Sequence, residues 1–406
     1  MRQKLLIRIL LFPILGIFLY ILVACIIQTP TLVFREIAWR DSDVFDYKRF
    51  PFKKLEASSS PFYFQNGSPE SAIETLSLLQ SSLQCDDLDA FLESTGTQAF
   101  IVIHNDQVLY EKYFNGSRRD TIVTSFSAAK SFLTALVGIA INDGKLSIND
   151  PITQFLPELA IRDPRFSDIT VQHLLMSSSG IQFSTTPFPF FSDDGLAYYH
   201  PNLRYLALER TRIWEKPGQH FLYNHYDPIL LGLILERVTG TPVTQYLQER
   251  LWTPLGMEYE GSWSLDSDSD ALEKMGNGIN ARAIDFAKLG RLYLMDGNWN
   301  GMQLISADWI AESTQEDDLS ILASSTDYYD YMWSELHDLN GYYPKYMWWG
   351  MHREDGKSDF MAWGALGQYI YVSPQANLIV VRNGEEDGIS PIEWVKAFYL
   401  FATRLK

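Results

Sequence analysis

Cysteine is nearly absent from this chain: only Cys25 and Cys85 occur in 406 residues. So few cysteines exclude a disulfide scaffold and a Cys-rich zinc site. Basic charge is scarce as well. Lys and Arg number 33 against 50 Asp and Glu, for a net charge of −17. A chain this acidic lacks the basic face that nucleic-acid backbone demands, so no nucleic-acid partner is expected. Several catalytic signatures are also missing. The lack of G-x-S-x-G argues against an α/β-hydrolase nucleophile elbow. Neither H-E-x-x-H nor a P-loop occurs. The seven histidines are scattered. The closest pair, His220 and His225, does not have helical ligand spacing, so no metal site is expected. No internal repeat or low-complexity tract is found.

What is present is globular. Hydrophobic residues make up 46% and charged residues 20%, which excludes disorder as the main state. The length fits one large enzyme domain with an appendage. Aromatics reach 14%, which fits a cleft for a carbohydrate, a peptide or a small molecule. The N-terminus carries a membrane signal. From Ile9 to Ile27 no residue is charged, and Arg2, Lys4 and Arg8 precede the run. As a helix it would be about 28 Å long, close to a ~30 Å hydrocarbon core. The positive-inside rule then exports everything that follows. Three readings stay open: a retained single-span anchor, a cleaved signal peptide, and a lipoprotein signal at Leu22-Val23-Ala24-Cys25.

Residues 1–28 are thus read as the membrane segment and 29–87 as a tether with one helix starting at Ser68-Pro69-Glu70. Ala99 to His104 is β-rich, Asn105-Asp106 is a turn, and Gln107 to Tyr113 is the return strand. Gln368 to Val372 and Leu378 to Val381 read as strands, and Pro391 to Leu405 as a last helix. The middle is mostly helical. The expected fold is α/β of the α+β type: one antiparallel sheet drawn from both ends of the main domain, 88–406. Helices flank it, and an all-helical subdomain is inserted at about 141–270.

Ser127-Ala128-Ala129-Lys130 is the S-x-x-K motif of the chain, and an uncharged run to Ile141 follows it. A helix apolar all round is a buried helix. Asp143-Gly144 ends it. Ser127 and Lys130 therefore lie one turn apart on one face at its start. A serine hydroxyl needs an adjacent base to become a nucleophile. A lysine drawn out of water favours its neutral amine and can be that base.

In this setting the chain resembles the serine β-lactamase and penicillin-binding-protein superfamily. The likeness is to the branch of class C β-lactamases, related esterases and 6-aminohexanoate-dimer hydrolases. Matching blocks run in order over about residues 88 to 406. They include the hairpin Ala99–Gly116, the Ser127–Lys130 motif, Ile169–Leu175 with Ser177–Gly180, and Pro217–Gly232. The resemblance implies the β-lactamase/transpeptidase-like fold and catalysis without metal or organic cofactor. It assigns Tyr223, in Tyr223-Asn224-His225, as the proton-relaying phenol, with nearby Lys130 favouring phenolate. His225 stands where Asn is usual. The third motif is Ala362-Trp363-Gly364, where relatives carry Lys or His. Backbone N–H groups of Ser127 and Ala365 would form the oxyanion hole, and His225, Trp363 and Gly364 would contact substrate. The missing cation points away from carboxylate-bearing β-lactams and toward small ester, amide or peptide substrates. A D,D-peptidase or β-lactamase, and a catalytically weak envelope-binding protein, are the alternatives.

Overall fold

The computed structural model describes residues 2–317, 341–353 and 356–405, with the side chains of all of these except residues 2–12 and Pro189. Tyr328, Tyr329, Tyr331 and Trp333 lie outside the described residues.

The hairpin expected near residue 100 forms as β3 (Thr97–His104) and β4 (Gln107–Tyr113). Asn105 and Asp106 have φ of 53° and 61°. Two left-handed residues give the turn whose twist matches that of its strands. From the far end of the chain come β10 (Tyr342–Lys345), β11 (Trp348–His352), β12 (Ser358–Gly364), β13 (Gln368–Ser373) and β14 (Leu378–Gly384). β14 pairs antiparallel with β3, Val380 opposite Val102. Strand β2 (Gln65–Asn66) completes the order β10-β11-β12-β13-β14-β3-β4-β2. The sheet is therefore closed by both ends of the main domain, as its two β-rich segments require.

Side chains alternate between two cores, as the period of a strand dictates. Ile101, Ile103, Ala362, Ile370 and Val381 face one core, with α5 (Ala129–Asn142) and its neighbours. Phe100, Val102, Met361, Tyr369 and Val380 face the other, under the C-terminal helix Pro391–Arg404. Helix α5 is buried at every residue from Ala129 to Ala140, which its uncharged sequence demands. Removing one of its large side chains, as in Phe132→Ala, is expected to cost about 3–5 kcal/mol.

Residues 29–67 are built into the domain and are not a free tether. Thr29 caps α2 (Pro30–Trp39), with its side chain accepting from the Leu32 N–H. Leu32 and Val33 are buried, and the Arg35 guanidinium donates to the Tyr199 carbonyl at 2.9 Å. Strand β1 (Phe52–Leu55) pairs with β6 (Gly261–Ser264) in a second sheet, order β1-β6-β7-β5, with β5 at Val123–Thr124 and β7 at Ile279–Ala281. The polar composition of 29–67 hid these contacts because their apolar partners lie more than a hundred residues away.

The N-terminal run forms α1 (Arg2–Ile27). Its side chains up to residue 12 lie outside the described ones. Among the described residues, no helix is long and apolar enough to cross a membrane. The end of α1 packs on the domain: Ala24 is fully buried, and Tyr20 stacks on Phe190 with ring centroids 5.1 Å apart.

Candidate active site

Ser127 sits where the chain turns from β5 into α5. Phe126, just before it, holds a φ of 42°. Left-handed backbone in a bulky residue costs about 1–3 kcal/mol and persists where surroundings enforce it. Here it carries the chain from β5 into the start of the helix. Ser127 is half-buried between neighbours that are wholly buried.

Lys130 Nζ lies 3.0 Å from Ser127 Oγ and donates to the Gly276 carbonyl at 2.9 Å. Lys130 is 2% exposed. Burial pushes its ammonium down to about 7, and Asp194 pulls weakly the other way. At neutral pH a large share of Lys130 is the free amine, the form that can accept a proton. The spacing of S-x-x-K on a buried helix thus brings Lys130 Nζ into direct contact with Ser127 Oγ.

Tyr223 completes the group. Its hydroxyl hydrogen-bonds with the Ser127 side chain, and Lys130 Nζ lies 4.8 Å from its ring centroid. One expectation is corrected here. Burial raises the Tyr223 phenol above its ordinary value, and no lowering by Lys130 offsets this. Tyr223 rests as a phenol, which leaves Lys130 as the candidate base. Behind Tyr223 lies an aromatic bed. Trp349 is 5.8 Å away between centroids, and Tyr342 stacks on Trp349 at 5.7 Å. Trp363 joins the bed, 5.9 Å from Trp349 and stacked on Tyr369 at 6.2 Å. Trp363 is on the opposite face of β12 from Gly364, so it supports Tyr223 and does not wall the cavity.

The two residues after Tyr223 diverge. Asn224 is buried and donates to the Leu222 carbonyl and, at 2.8 Å, to Asp227. Burial pushes the Asp227 carboxyl up to about 7, against hydrogen bonds from Ser179 and Asn224. This pair fixes the start of α11 (Tyr226–Thr239). His225 turns into the cavity. Burial first, then Lys130 and Lys274, hold its ring well below the usual range, so it is neutral. Its Nε2 is 3.7 Å from Asp194, too far for a hydrogen bond, and a neutral ring makes no ion pair.

Gly364 is required at the end of β12. A Cβ there would come 2.2 Å from the Ser125 carbonyl oxygen and 3.0 Å from the Ser127 nitrogen. That close approach brings the backbone after Gly364 alongside Ser127, and both Ser127 and Ala365 line the cavity. Ala362, one step inward on the same face, is fully buried against α5.

The cavity has a volume of about 700 Å3. Thr186, Pro187 and Phe190 form part of its wall. Other contributors to the wall were not singled out in the sequence. Asn277, beside the Gly276 carbonyl that holds Lys130, lines it. Asp194 lines it, with its carboxyl raised by burial and by Asp193. Glu36, Ile37, Arg40 and Asp41 come from α2 and the turn after it. Nothing local in their sequence marks them, because they reach the cavity only through packing on α9 (Asp193–Tyr199). Among the described residues, no cluster of His, Cys, Asp and Glu is placed to hold a metal ion.

Residues 88–383 match the family model described as Beta-lactamase. The chain belongs to the beta-lactamase family. Among this family the 6-aminohexanoate-dimer hydrolase of Paenarthrobacter ureafaciens is 26% identical over 319 residues, 73% of this chain and 74% of the relative. A solved chain from Bacillus anthracis has the same fold at a TM-score of 0.70, with 20% identity, covering 91% of this chain and 94% of that one. The structure of EstCE1, a hydrolase with promiscuous acyltransferase activity, aligns at a TM-score of 0.61 with 17% identity, covering 82% and 100%. This beta-lactamase-family chain is a serine hydrolase, and its candidate nucleophile Ser127, candidate base Lys130 and Tyr223 meet at one end of α5.

Proposed function

We propose that this protein hydrolyses small ester or amide substrates through an acyl-enzyme on Ser127. One observation carries the reading: a buried Lys130, its ammonium pushed down to about 7, within hydrogen-bond reach of Ser127 Oγ. Ser127 Oγ attacks the substrate carbonyl carbon as Lys130 Nζ takes its proton. The carbonyl oxygen gains negative charge between the backbone N–H groups of Ser127 and Ala365. Tyr223 hands its proton to the departing alkoxide or amine and is recharged from Lys130. Water then attacks the acyl carbon, its proton leaves by the same relay, and Ser127 is released.

Esters should react faster than amides, because an amine must be protonated to leave. The uncharged Ala362-Trp363-Gly364 supports a preference for substrates without a carboxylate. The decisive comparison is kcat/KM for an uncharged p-nitrophenyl ester against a chromogenic cephalosporin and a D-Ala-D-Ala peptide. The ester is expected to win. An anionic substrate faster by about tenfold, roughly 1.4 kcal/mol, would leave the hydrolase standing and overturn this substrate reading.

We also propose that α1 tethers the enzyme to a membrane with the catalytic domain outside the cytoplasm. The uncharged run behind three basic residues supports it, as do the exposed side chains of Ile14, Phe18, Leu22 and Ile26. Protease added to spheroplasts should digest the domain. Palmitate labelling that disappears in Cys25→Ser would replace the anchor with a lipid modification.

A further inference from the structure

Helix α1 touches the domain along one narrow stripe. Tyr20 and Ala24, one turn apart, lie on it and pack with Val33 and Phe190. Leu15, Ile17, Phe18, Val23 and Ile27 are exposed. At 3.6 residues per turn they point to all the remaining sides of the helix. An apolar surface of this extent marks a contact with lipid or protein. The sequence selects lipid: the uncharged run from Ile9 to Ile27 matches a hydrocarbon core in length, and Arg2, Lys4 and Arg8 precede it.

That face continues to the mouth of the catalytic cavity. Only Gln28 and Thr29 separate α1 from α2. Phe34 and Ile37, three residues apart on one face of α2, are both exposed. The loop 186–191 leads the same way. Phe190 stacks on Tyr20 and also lines the cavity, and the exposed Phe188 lies 6.2 Å from the Tyr20 ring. The exposed lining residues mark the mouth: Ile37, Arg40, Asp41, Pro187 and Ala365. All but Ala365 belong to the two segments that pack on α1. Helix α2 has ten residues and is about 15 Å long, so the mouth stands close to the end of the apolar run, near the depth where headgroups meet water.

We propose that the cavity opens onto a bilayer surface and draws its substrate from it: an uncharged long-chain acyl ester, whose chain lies in the lipid beside Phe34 and Phe188 while its carbonyl reaches Ser127. This rests on two readings given above, Ser127 as nucleophile and α1 as a membrane segment. A substrate that stays in lipid needs a mouth at lipid depth and a rim that lipid can wet, and the exposed apolar residues supply both.

The test reconstitutes the full chain in vesicles of a diether phosphatidylcholine, which offers no ester to cleave. p-Nitrophenyl palmitate is placed either in the same vesicles or in separate ones, and p-nitrophenyl butyrate is supplied in water. Palmitate turnover is expressed relative to butyrate turnover in the same sample. Each buried methylene favours the bilayer by about fourfold, so the palmitate ester barely passes through water, and its turnover in shared vesicles should exceed that in separate ones by about tenfold or more. Equal turnover in the two arrangements overturns the proposal. Phe34→Asp and Phe188→Asp each bring a charge to the lipid-facing rim, and should lower relative palmitate turnover by about tenfold. Butyrate turnover should stay within about threefold in both. A palmitate advantage undiminished in both variants also overturns the proposal. Two controls separate its failure from failure of the readings beneath it. A chain that does not float with the vesicles, whether single or paired with a second copy, overturns the membrane reading and this inference with it. Butyrate hydrolysis that survives in Ser127→Ala overturns the catalytic reading. A chain that floats, cleaves butyrate through Ser127 and gains nothing from shared vesicles overturns this inference alone.

Discussion

Lys130 and Lys274 are both buried, and burial pushes both ammonium groups down to about 7. Only one of them touches the candidate nucleophile. Lys130 reaches Ser127 Oγ and the Gly276 carbonyl. Lys274 donates to the Tyr198 carbonyl and lies between the Phe50 and Tyr198 rings, 4.0 Å and 4.1 Å from their centroids. Its site joins the segment after α2 to α9 and the residues before β7. A perturbed lysine is thus no marker of catalysis by itself. The neighbour that accepts its hydrogen bond decides what it does. Four substitutions press on this contrast.

The largest effect belongs to the nucleophile. Ser127→Ala should lower turnover by about 10⁴-fold or more, and should abolish covalent labelling by a fluorophosphonate. Labelling at another serine would remove the contrast, since neither lysine would then adjoin the nucleophile.

Lys130→Met should cost nearly as much, about 10³-fold or more, because the residues act as a unit. In the unaltered enzyme, kcat/KM for an uncharged ester should rise with pH through about 7. The sign follows from the role: the base must have lost its proton, and Lys130 loses it as pH climbs past its depressed value. A profile flat from pH 6 to 8.5 would assign the base elsewhere.

Gly364→Ala tests the wall that meets Ser127. Its new methyl would press on the Ser125 carbonyl and the Ser127 nitrogen. Both are backbone, so the strand end must retreat and the oxyanion donors separate. Removing such a donor costs about 10²–10³ in kcat, and that is the loss expected here, with KM changing less. Equal losses in stability and turnover would mean the glycine serves the fold alone.

Which parts were legible follows the range of the interactions. Ser127 and Lys130 are three residues apart, so helix geometry alone brings them together. The hairpin is also local, and Asn105-Asp106 marks its turn. Tyr223 came from resemblance and not from spacing, and its phenol proved raised because burial outweighs the hydrogen bond with Ser127. Glu36 and Asn277 were invisible. Each reaches the cavity through contacts between segments far apart in the chain, and no local pattern encodes those. Trp363 was read into the cavity because its motif lies there. The strand's period of two sends it to the opposite face from Gly364.

The smallest effect on chemistry is expected at Lys274. Lys274→Met keeps the length and apolar stem, fills the slot between Phe50 and Tyr198, and removes a buried ionisable group. Turnover of an uncharged ester should stay within about threefold, since only His225 and the cavity edge are near. Stability should respond instead, and its sign depends on pH. Unfolded, the lysine titrates near its ordinary ~10.4; folded, it is held to about 7. Between these values the unfolded chain binds more protons, so stability rises with pH across that window. Its contribution is fully present above the unfolded value and is lost as pH falls through the folded one. Lys274→Met should therefore flatten the rise in denaturation midpoint between about pH 7 and pH 10, leaving the slope due to Lys130. An unchanged slope would show that water reaches Lys274. A turnover loss like that of Lys130→Met would abolish the distinction between the two lysines.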